Sequence, residues 1–173
     1  MQRTLIKELG NYIDKRVRLK GWVEKVRDLG NIKFIILRDR SGIVQTVYEG
    51  DTLPEKITKE SVIRVEGTAF KETRAKGGIE IHLEKESIEI ISAAKTPLPF
   101  EIEKVDKNIN FDNILDHRAL SIRNKKLNAV FKIQAEIMNA FRDFLRKEDF
   151  TEISTPKIVA SGTEGGTELF ELQ

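Results

Sequence analysis

The sequence predicts a small antiparallel β-barrel of five strands, followed by a hinge and the start of an α+β domain. Two observations favour the barrel: short segments rich in Val, Ile and Phe recur up to residue 91, and glycine or charged turns separate them. A third observation favours the second domain, because the apolar spacing becomes helical after residue 110. We place the barrel at residues 1–91, the hinge at 92–110 and the second domain at 111–173.

The barrel prediction depends on alternation and on turn residues. Strands are expected at residues 16–26, 32–38, 43–48, 61–70 and 79–84, and the second has apolar residues on both faces, as a central strand does. Turns are expected at residues 28–31 and 38–42, a short helix near Pro54, and a bend after Glu84. Five strands with a short helix between the third and fourth match the OB-fold, a barrel that commonly binds oligonucleotides.

One stretch of the predicted barrel, residues 21–47, carries side chains suited to unpaired bases. It offers flat faces, an amide and positive charge: Trp22, Phe34, Gln45, Arg27 and Lys33. Other interpretations stay open at this point. Phe34 also suits the barrel core, Trp22 suits barrel packing, and Gln45 suits a partly buried amide bonded to a neighbouring strand.

Charge is unevenly distributed along the chain, although the formal net charge is only +2. Residues 1–50 hold eleven Lys and Arg against six Asp and Glu, whereas residues 80–112 hold four against eight. Three further cations lie in the predicted loop 71–78, which could close over a bound strand. The pattern fits a basic face that attracts phosphates, or two ordinary solvated faces.

Composition argues against several classes of site and location. The chain has no cysteine and two isolated histidines, so we expect neither disulfides nor a metal site. No apolar run approaches the roughly 20 residues of a membrane helix, and the first residues lack the apolar core of a signal peptide. We therefore expect a cytoplasmic protein.

Beyond residue 110 the spacing predicts a short helix over residues 111–122 and a long helix after Asn124, the candidate cap. The long helix has a wide apolar stripe, which needs cover from further sequence or from a partner subunit. A short strand is expected from Phe150 to Pro156, followed by a loop with three glycines.

Three segments closely resemble aspartyl-tRNA synthetases of the archaeal type: GWVEKVRDLGNIKFIILRDRSGIVQTV, LDHRALSIRN and FTEISTPKIVASGTEGGTELF. In that family the OB-fold binds the tRNA anticodon, and a class II catalytic domain follows a hinge. The resemblance implies that Phe34 stacks on the middle anticodon base and that Gln45 bonds the edge of that base. It also implies that Arg27 and Glu80 contribute further anticodon contacts.

The resemblance extends to the second domain. The long helix and the segment ending at Pro156 are similar to the first class II signature, which forms a homodimer interface, and Glu164 corresponds to a loop residue that contacts the α-amino group of aspartate. The family's remaining signatures lie beyond Gln173, so the resemblance implies a truncated catalytic domain. The full-length enzyme requires ATP and Mg²⁺, and we expect this chain alone to contain no catalytic residue and to be inactive.

Rival functions remain at this point. An asparaginyl or non-discriminating Asp/Asn enzyme shares most of these segments, and Glu24 is acidic where an aromatic or imidazole group is expected. A stand-alone OB-fold that binds RNA or single strands, or an interaction module whose helix pairs with another chain, would also explain parts of the pattern.

Overall fold

The computed structural model describes residues 2–50, 52–53, 57–84, 86–104 and 109–155. The chain divides into two units, Met1–Leu98 and Pro99–Gln173. Among these described residues, the strands belong to the first unit and the α-helices to the second. The finer domain limits at residues 91 and 110 stay a prediction.

The first unit is a closed barrel. Its strands are β1 Arg16–Asp28, β2 Ile32–Arg38, β3 Ile43–Glu49, β4 Val62–Lys71, β5 Ile79–Leu83 and β6 Glu89–Ser92. They follow the order β1-β2-β3-β5-β4-β6, and an additional pairing of β1 with β4 closes the first five into a barrel. β3 and β5 run parallel, and the other pairs are antiparallel. The predicted five-stranded OB-fold is confirmed, and β6 is an additional strand on β4.

The chain bends between β5 and β6. β5 pairs with β4 at residues 67–71, whereas β6 pairs with β4 at residues 62–64. Between them Glu86 has a positive φ of 61°, and the backbone N–H of Ser87 donates to the carbonyl of Glu84 at 3.1 Å. In the sequence this bend corresponds to a change of alternation, because the apolar residues occupy odd positions up to Leu83 and even positions at Ile88 and Ile90.

The barrel core contains the buried apolar residues of one strand parity: Val17, Leu19, Val23, Ile35, Leu37, Val44, Ile63, Val65, Ala69 and Ile81. Gly67 lies on the same parity, where a Cβ would come within 2.2 Å of the backbone oxygen of His82. Glycine therefore permits the close approach of β4 and β5.

An N-terminal 3-10 helix, Ile6–Tyr12, completes the barrel and was not predicted by the sequence pattern. Its Leu9 is buried in the core. The Asp39 carboxylate holds the helix, since its Oδ2 accepts from the backbone N–H of Ile6 at 3.0 Å while its Oδ1 accepts from that of Ser41 at 2.7 Å.

The second unit contains α1 Phe111–Asp116, α2 Arg118–Ser121 and α3 Lys125–Lys147, after a 3-10 turn at Ile102–Lys104. Asn124 caps α3 as predicted, because its Oδ1 accepts from Lys126 N at 2.9 Å and from Leu127 N at 3.3 Å. Its Nδ2 also donates to the carbonyl of Ile102 at 2.7 Å. A small core joins these elements: Phe100, Ile102, Ile109, Ile114, Leu120 and Leu127.

The apolar stripe of α3 is exposed within the described residues. The side chains on it include Val130, Ile133, Ile137, Phe141 and Phe144. After α3, residues 150–155 form no strand, and Glu152 instead bonds to Arg142 at 2.8 Å. Pro54, Pro156 and Glu164 lie outside the described residues. Within the described part of the chain, no helix is long and apolar enough to cross a membrane.

Candidate nucleic-acid interface

The outer surface of the barrel carries two parallel rows of paired side chains, which together we call the two-row face. Strand register aligns the first row as Arg27, Phe34, Val47, His82 and Thr68. The same pairings align the second row as Lys25, Ile36, Gln45, Glu80 and Phe70. Side chains alternate across a sheet, so residues next to the rows on the same strands, such as Ile35, Val44, Ala69 and Ile81, lie in the core.

The four residues with implied anticodon contacts all lie on the two-row face. Arg27 and Phe34 are direct partners across β1 and β2, and Gln45 and Glu80 are direct partners across β3 and β5. Phe34 is half-buried and lies on the outer parity, so the core interpretation of its ring does not hold. The fold brings together an aromatic surface, an amide, a carboxylate and a guanidinium.

A hydrogen-bonded trio occupies the middle of the face. The Nε2 of Gln45 donates to Oε2 of Glu80 at 2.6 Å, and the Nε2 of His82 lies 3.0 Å from Oε1 of the same carboxylate. Glu80 is 8% exposed, whereas the side chain of His82 is 47% exposed. The buried carboxylate therefore positions two side chains that remain available to a ligand.

The carboxylate also fixes which atoms those side chains present. An ionised Glu80 can only accept hydrogen bonds, so the Gln45 amide must turn its N–H group toward it. The Oε1 of Gln45 is then left as an acceptor, and the amide keeps one further N–H. Such a group can pair with the polar edge of an unpaired base.

Lys33 does not belong to the face, contrary to the sequence-based interpretation. Its side chain is 3% exposed, and its Nζ donates to the carbonyls of Gly30 at 2.6 Å and Gly50 at 3.0 Å. The ammonium group joins two turns at one end of the barrel. Trp22 is half-buried on the outer parity, opposite Arg38 and Val62.

Positive charge is concentrated at the β1 side of the face. Lys25 and Arg27 are exposed and form no ion pair with another described residue. Farther along β1, Arg18 bonds to Glu66 at 2.8 Å, and this hydrogen bond holds the pKa of Glu66 below its ordinary value. Arg38 likewise bonds to Glu60. Two unpaired cations therefore lie beside Phe34 on this side of the face.

The loop 71–78 contributes less free charge than its composition indicates. Arg74 donates to Glu72 at 3.1 Å and holds the pKa of that carboxyl below its ordinary value. Lys71 and Lys76 stay exposed. A backbone bond from Glu72 N to the carbonyl of Gly78, at 3.0 Å, closes the loop into a tight turn.

Two ring side chains of the face were not identified from the sequence. Phe70 and His82 lie on neighbouring strands with their ring centroids 4.9 Å apart and their planes at 73°. The signal that could have found them is strand parity, since Glu80 and His82 alternate with the core residues Ile79, Ile81 and Leu83. Phe70 has the same parity on β4.

Comparison with known proteins agrees with this architecture. A family described as an OB-fold nucleic acid binding domain matches residues 17–91, and a family described as class II tRNA synthetases (D, K and N) matches residues 110–173. An aspartate–tRNA(Asp/Asn) ligase of Methanopyrus kandleri is 48% identical over 164 residues. The chain is a homologue of the N-terminal part of aspartate–tRNA ligases.

The similarity covers most of this chain but less than half of the length of each relative. The M. kandleri alignment covers 90% of this chain and 37% of that ligase. An aspartate–tRNA(Asp) ligase of Pyrococcus abyssi is 47% identical, covering 92% of this chain and 37% of that ligase. Among solved structures, asparaginyl-tRNA synthetase of Pyrococcus horikoshii with asparaginyl-adenylate has a TM-score of 0.80 at 32% identity, covering 100% and 41% of the two chains.

Proposed function

We propose that this chain is the anticodon-binding part of an aspartate–tRNA ligase, a cytoplasmic enzyme that uses ATP to join aspartate to tRNA. The observation that carries the proposal is the placement of Arg27, Phe34, Gln45 and Glu80 on one outer face of the barrel. Homology to the N-terminal part of these ligases supports the choice of substrate class.

Each of the four residues has a distinct role in the proposal. The Phe34 ring stacks on the middle anticodon base, and Gln45 bonds the polar edge of that base. Stacking is worth about 1–3 kcal/mol per base but discriminates little, whereas an amide held in one orientation discriminates by its hydrogen-bond pattern. Glu80 holds that orientation, and Arg27 beside Phe34 neutralises a backbone phosphate.

A second candidate is a ligase that charges both aspartate and asparagine tRNAs. The M. kandleri relative is named for both tRNAs and the P. abyssi relative for the aspartate tRNA alone, at 48% and 47% identity. Overall similarity therefore favours neither. Glu24, whose Oε2 lies 3.8 Å from Nη1 of Arg38, is the acidic residue that raised the question in the sequence.

The remaining parts of the proposal concern the second unit. The exposed stripe of α3 supports a homodimer, in which a second copy of the chain covers it. In this proposal Pro156 belongs to the dimer interface and Glu164 contacts aspartate. Both residues lie outside the part of the chain that the structure describes. Within the described ranges, no group of three or more His, Cys, Asp or Glu could hold a metal ion.

Binding of tRNA transcripts tests the proposal. The purified chain is titrated at two salt concentrations with transcripts carrying the aspartate, the asparagine or an unrelated anticodon, and Gln45→Ala is measured beside the wild type. We expect the aspartate transcript to bind most tightly and Gln45→Ala to lose that preference. Equal binding of the aspartate and asparagine transcripts supports the second candidate. Equal binding of all three, governed by salt alone, overturns both.

A further inference from the structure

We propose that Phe70 and His82 form a second base-binding subsite on the two-row face, which takes the unpaired base next to the one on Phe34. The subsite rests on the function proposed above and adds two contact residues to it.

Register separates this subsite from the first aromatic surface. Phe34 and His82 flank Val47 in the first row, so two strand spacings, roughly 10 Å, lie between them. A base centred on the Phe34 ring is therefore not centred on the His82 ring. Because both lie in one row of the same face, a continuous single strand can reach both.

The two rings form a stacking surface. Their edge-to-face geometry, with centroids 4.9 Å apart, is a favourable aromatic arrangement that fixes the His82 ring. Phe70 nevertheless remains 39% exposed, and the side chain of His82 remains 47% exposed. Exposed rings on a basic barrel surface are the usual means by which proteins hold unpaired bases.

The hydrogen bond to Glu80 gives His82 a defined polarity. When the carboxylate accepts, the Nε2 of His82 carries the hydrogen, and the neutral form of the ring then has Nδ1 as an acceptor. That nitrogen has no partner among the residues described. The subsite therefore combines a stacking surface with one acceptor, which matches an amino or imino N–H of a base, or a ribose 2′-hydroxyl.

Charge around the subsite is compatible with an RNA backbone. The acidic residue nearest the two rings, Glu80, bonds to His82 itself. Glu66 and Glu84, farther along the chain from the rings, are paired with Arg16 at 3.0 Å and 2.6 Å, and Glu72 beyond β4 is paired with Arg74 at 3.1 Å. The free cations Lys25 and Arg27 lie at the opposite side of the face, beside Phe34. A strand that binds there by its phosphates passes the first subsite and reaches the second.

Abasic hairpins test the assignment. We would measure the Kd of anticodon hairpins of the aspartate tRNA, intact or with one anticodon base removed, for the wild type and for Phe34→Ala, Phe70→Ala, His82→Ala and His82→Phe. Tyr12→Ala, an exposed aromatic of the N-terminal 3-10 helix, is the control variant. Thermal unfolding of each variant shows whether its barrel is intact. Phe70→Leu replaces Phe70→Ala if that variant unfolds, and His82→Phe serves in place of His82→Ala in the same way.

On the intact hairpin we expect Phe70→Ala and His82→Ala to weaken binding roughly 5- to 100-fold, with His82→Phe recovering part of the loss. On one of the abasic hairpins, Phe70→Ala and His82→Ala should bind as tightly as the wild type. The Phe34→Ala variant should match the wild type on a different abasic hairpin. The subsite is refuted if neither variant changes Kd, or if their losses vanish on the same hairpin as that of Phe34→Ala, which would leave His82 acting only through Glu80. If the wild type fails to prefer the intact hairpin over one with a scrambled anticodon, the function itself is refuted.

Discussion

Gln45 and Glu80 are partners on the parallel strands β3 and β5, and 2.6 Å separates the amide Nε2 from the carboxylate Oε2. They lie 35 residues apart in the sequence. Because the carboxylate is buried and can only accept, it determines how the amide is turned. Two side chains that look like unrelated polar residues in the sequence therefore act as one unit.

Glu80→Gln should weaken binding of the aspartate-anticodon hairpin about tenfold and reduce its advantage over a scrambled hairpin. A neutral amide can donate as well as accept, so it no longer fixes the orientation of Gln45, and one charge-assisted hydrogen bond is lost. Fluorescence titration measures the two Kd values. Glu84→Gln, which removes a carboxylate that pairs with Arg16 just beyond β5, is the matched control. An unchanged Kd for Glu80→Gln would contradict the orienting role.

Phe34→Ala should weaken hairpin binding by about 1–3 kcal/mol, because the stacking surface is removed while the charges stay. Phe34→Tyr should retain most of the affinity. Ile32→Ala, an exposed apolar residue of the same strand, is the control and should leave Kd within a factor of about two. Isothermal titration calorimetry gives all four values. Equal losses for the Phe34 and Ile32 variants would show that general apolar area, and not stacking, is what binds.

The strands were predictable from the sequence because alternation and turn chemistry are local properties. The limits of β2 match the predicted residues 32–38, and the Asn124 cap is visible in the sequence for the same reason. Lys33 could not be predicted, since its burial depends on the carbonyl of Gly50, which lies 17 residues away. His82 and Phe70 were missed likewise, because only the register of β4 with β5 brings their rings together.

Arg38→Ala should destabilise the barrel by about 3 kcal/mol, measured by urea unfolding of the whole chain. The Arg38 guanidinium lies 2.8 Å from both carboxylate oxygens of Glu60, whose side chain is 3% exposed, and removing one partner of a buried pair leaves a buried charge. Arg74→Ala breaks a comparable pair with Glu72, but the Arg74 side chain is 89% exposed. We expect no measurable loss of stability there, because a solvent-exposed ion pair contributes little. Similar losses for both variants would show that burial does not set the strength of these pairs.

Arg27→Ala should reduce the slope of log Kd against log salt by about one unit, because one phosphate contact with its released counterion is lost. The loss of affinity should be nearly the same for every anticodon. Lys20→Ala is the charge-matched control, since Lys20 lies on the same strand opposite Arg64 and away from the two-row face. An anticodon-dependent loss for Arg27→Ala would instead indicate that the guanidinium reads a base.

Phe141→Asp should raise the dissociation constant of self-association at least about 100-fold, because a carboxylate in a buried apolar interface costs several kcal/mol. Phe141 is 62% exposed in the single chain, and Ile137 and Phe144 extend the same stripe. Sedimentation equilibrium measures the constant, and helix content by circular dichroism verifies that α3 still forms. Lys132→Glu, which changes the charge on the opposite face of α3, should leave self-association unchanged. If the wild-type chain stays monomeric at millimolar concentration, a second copy of this chain does not cover the stripe by itself.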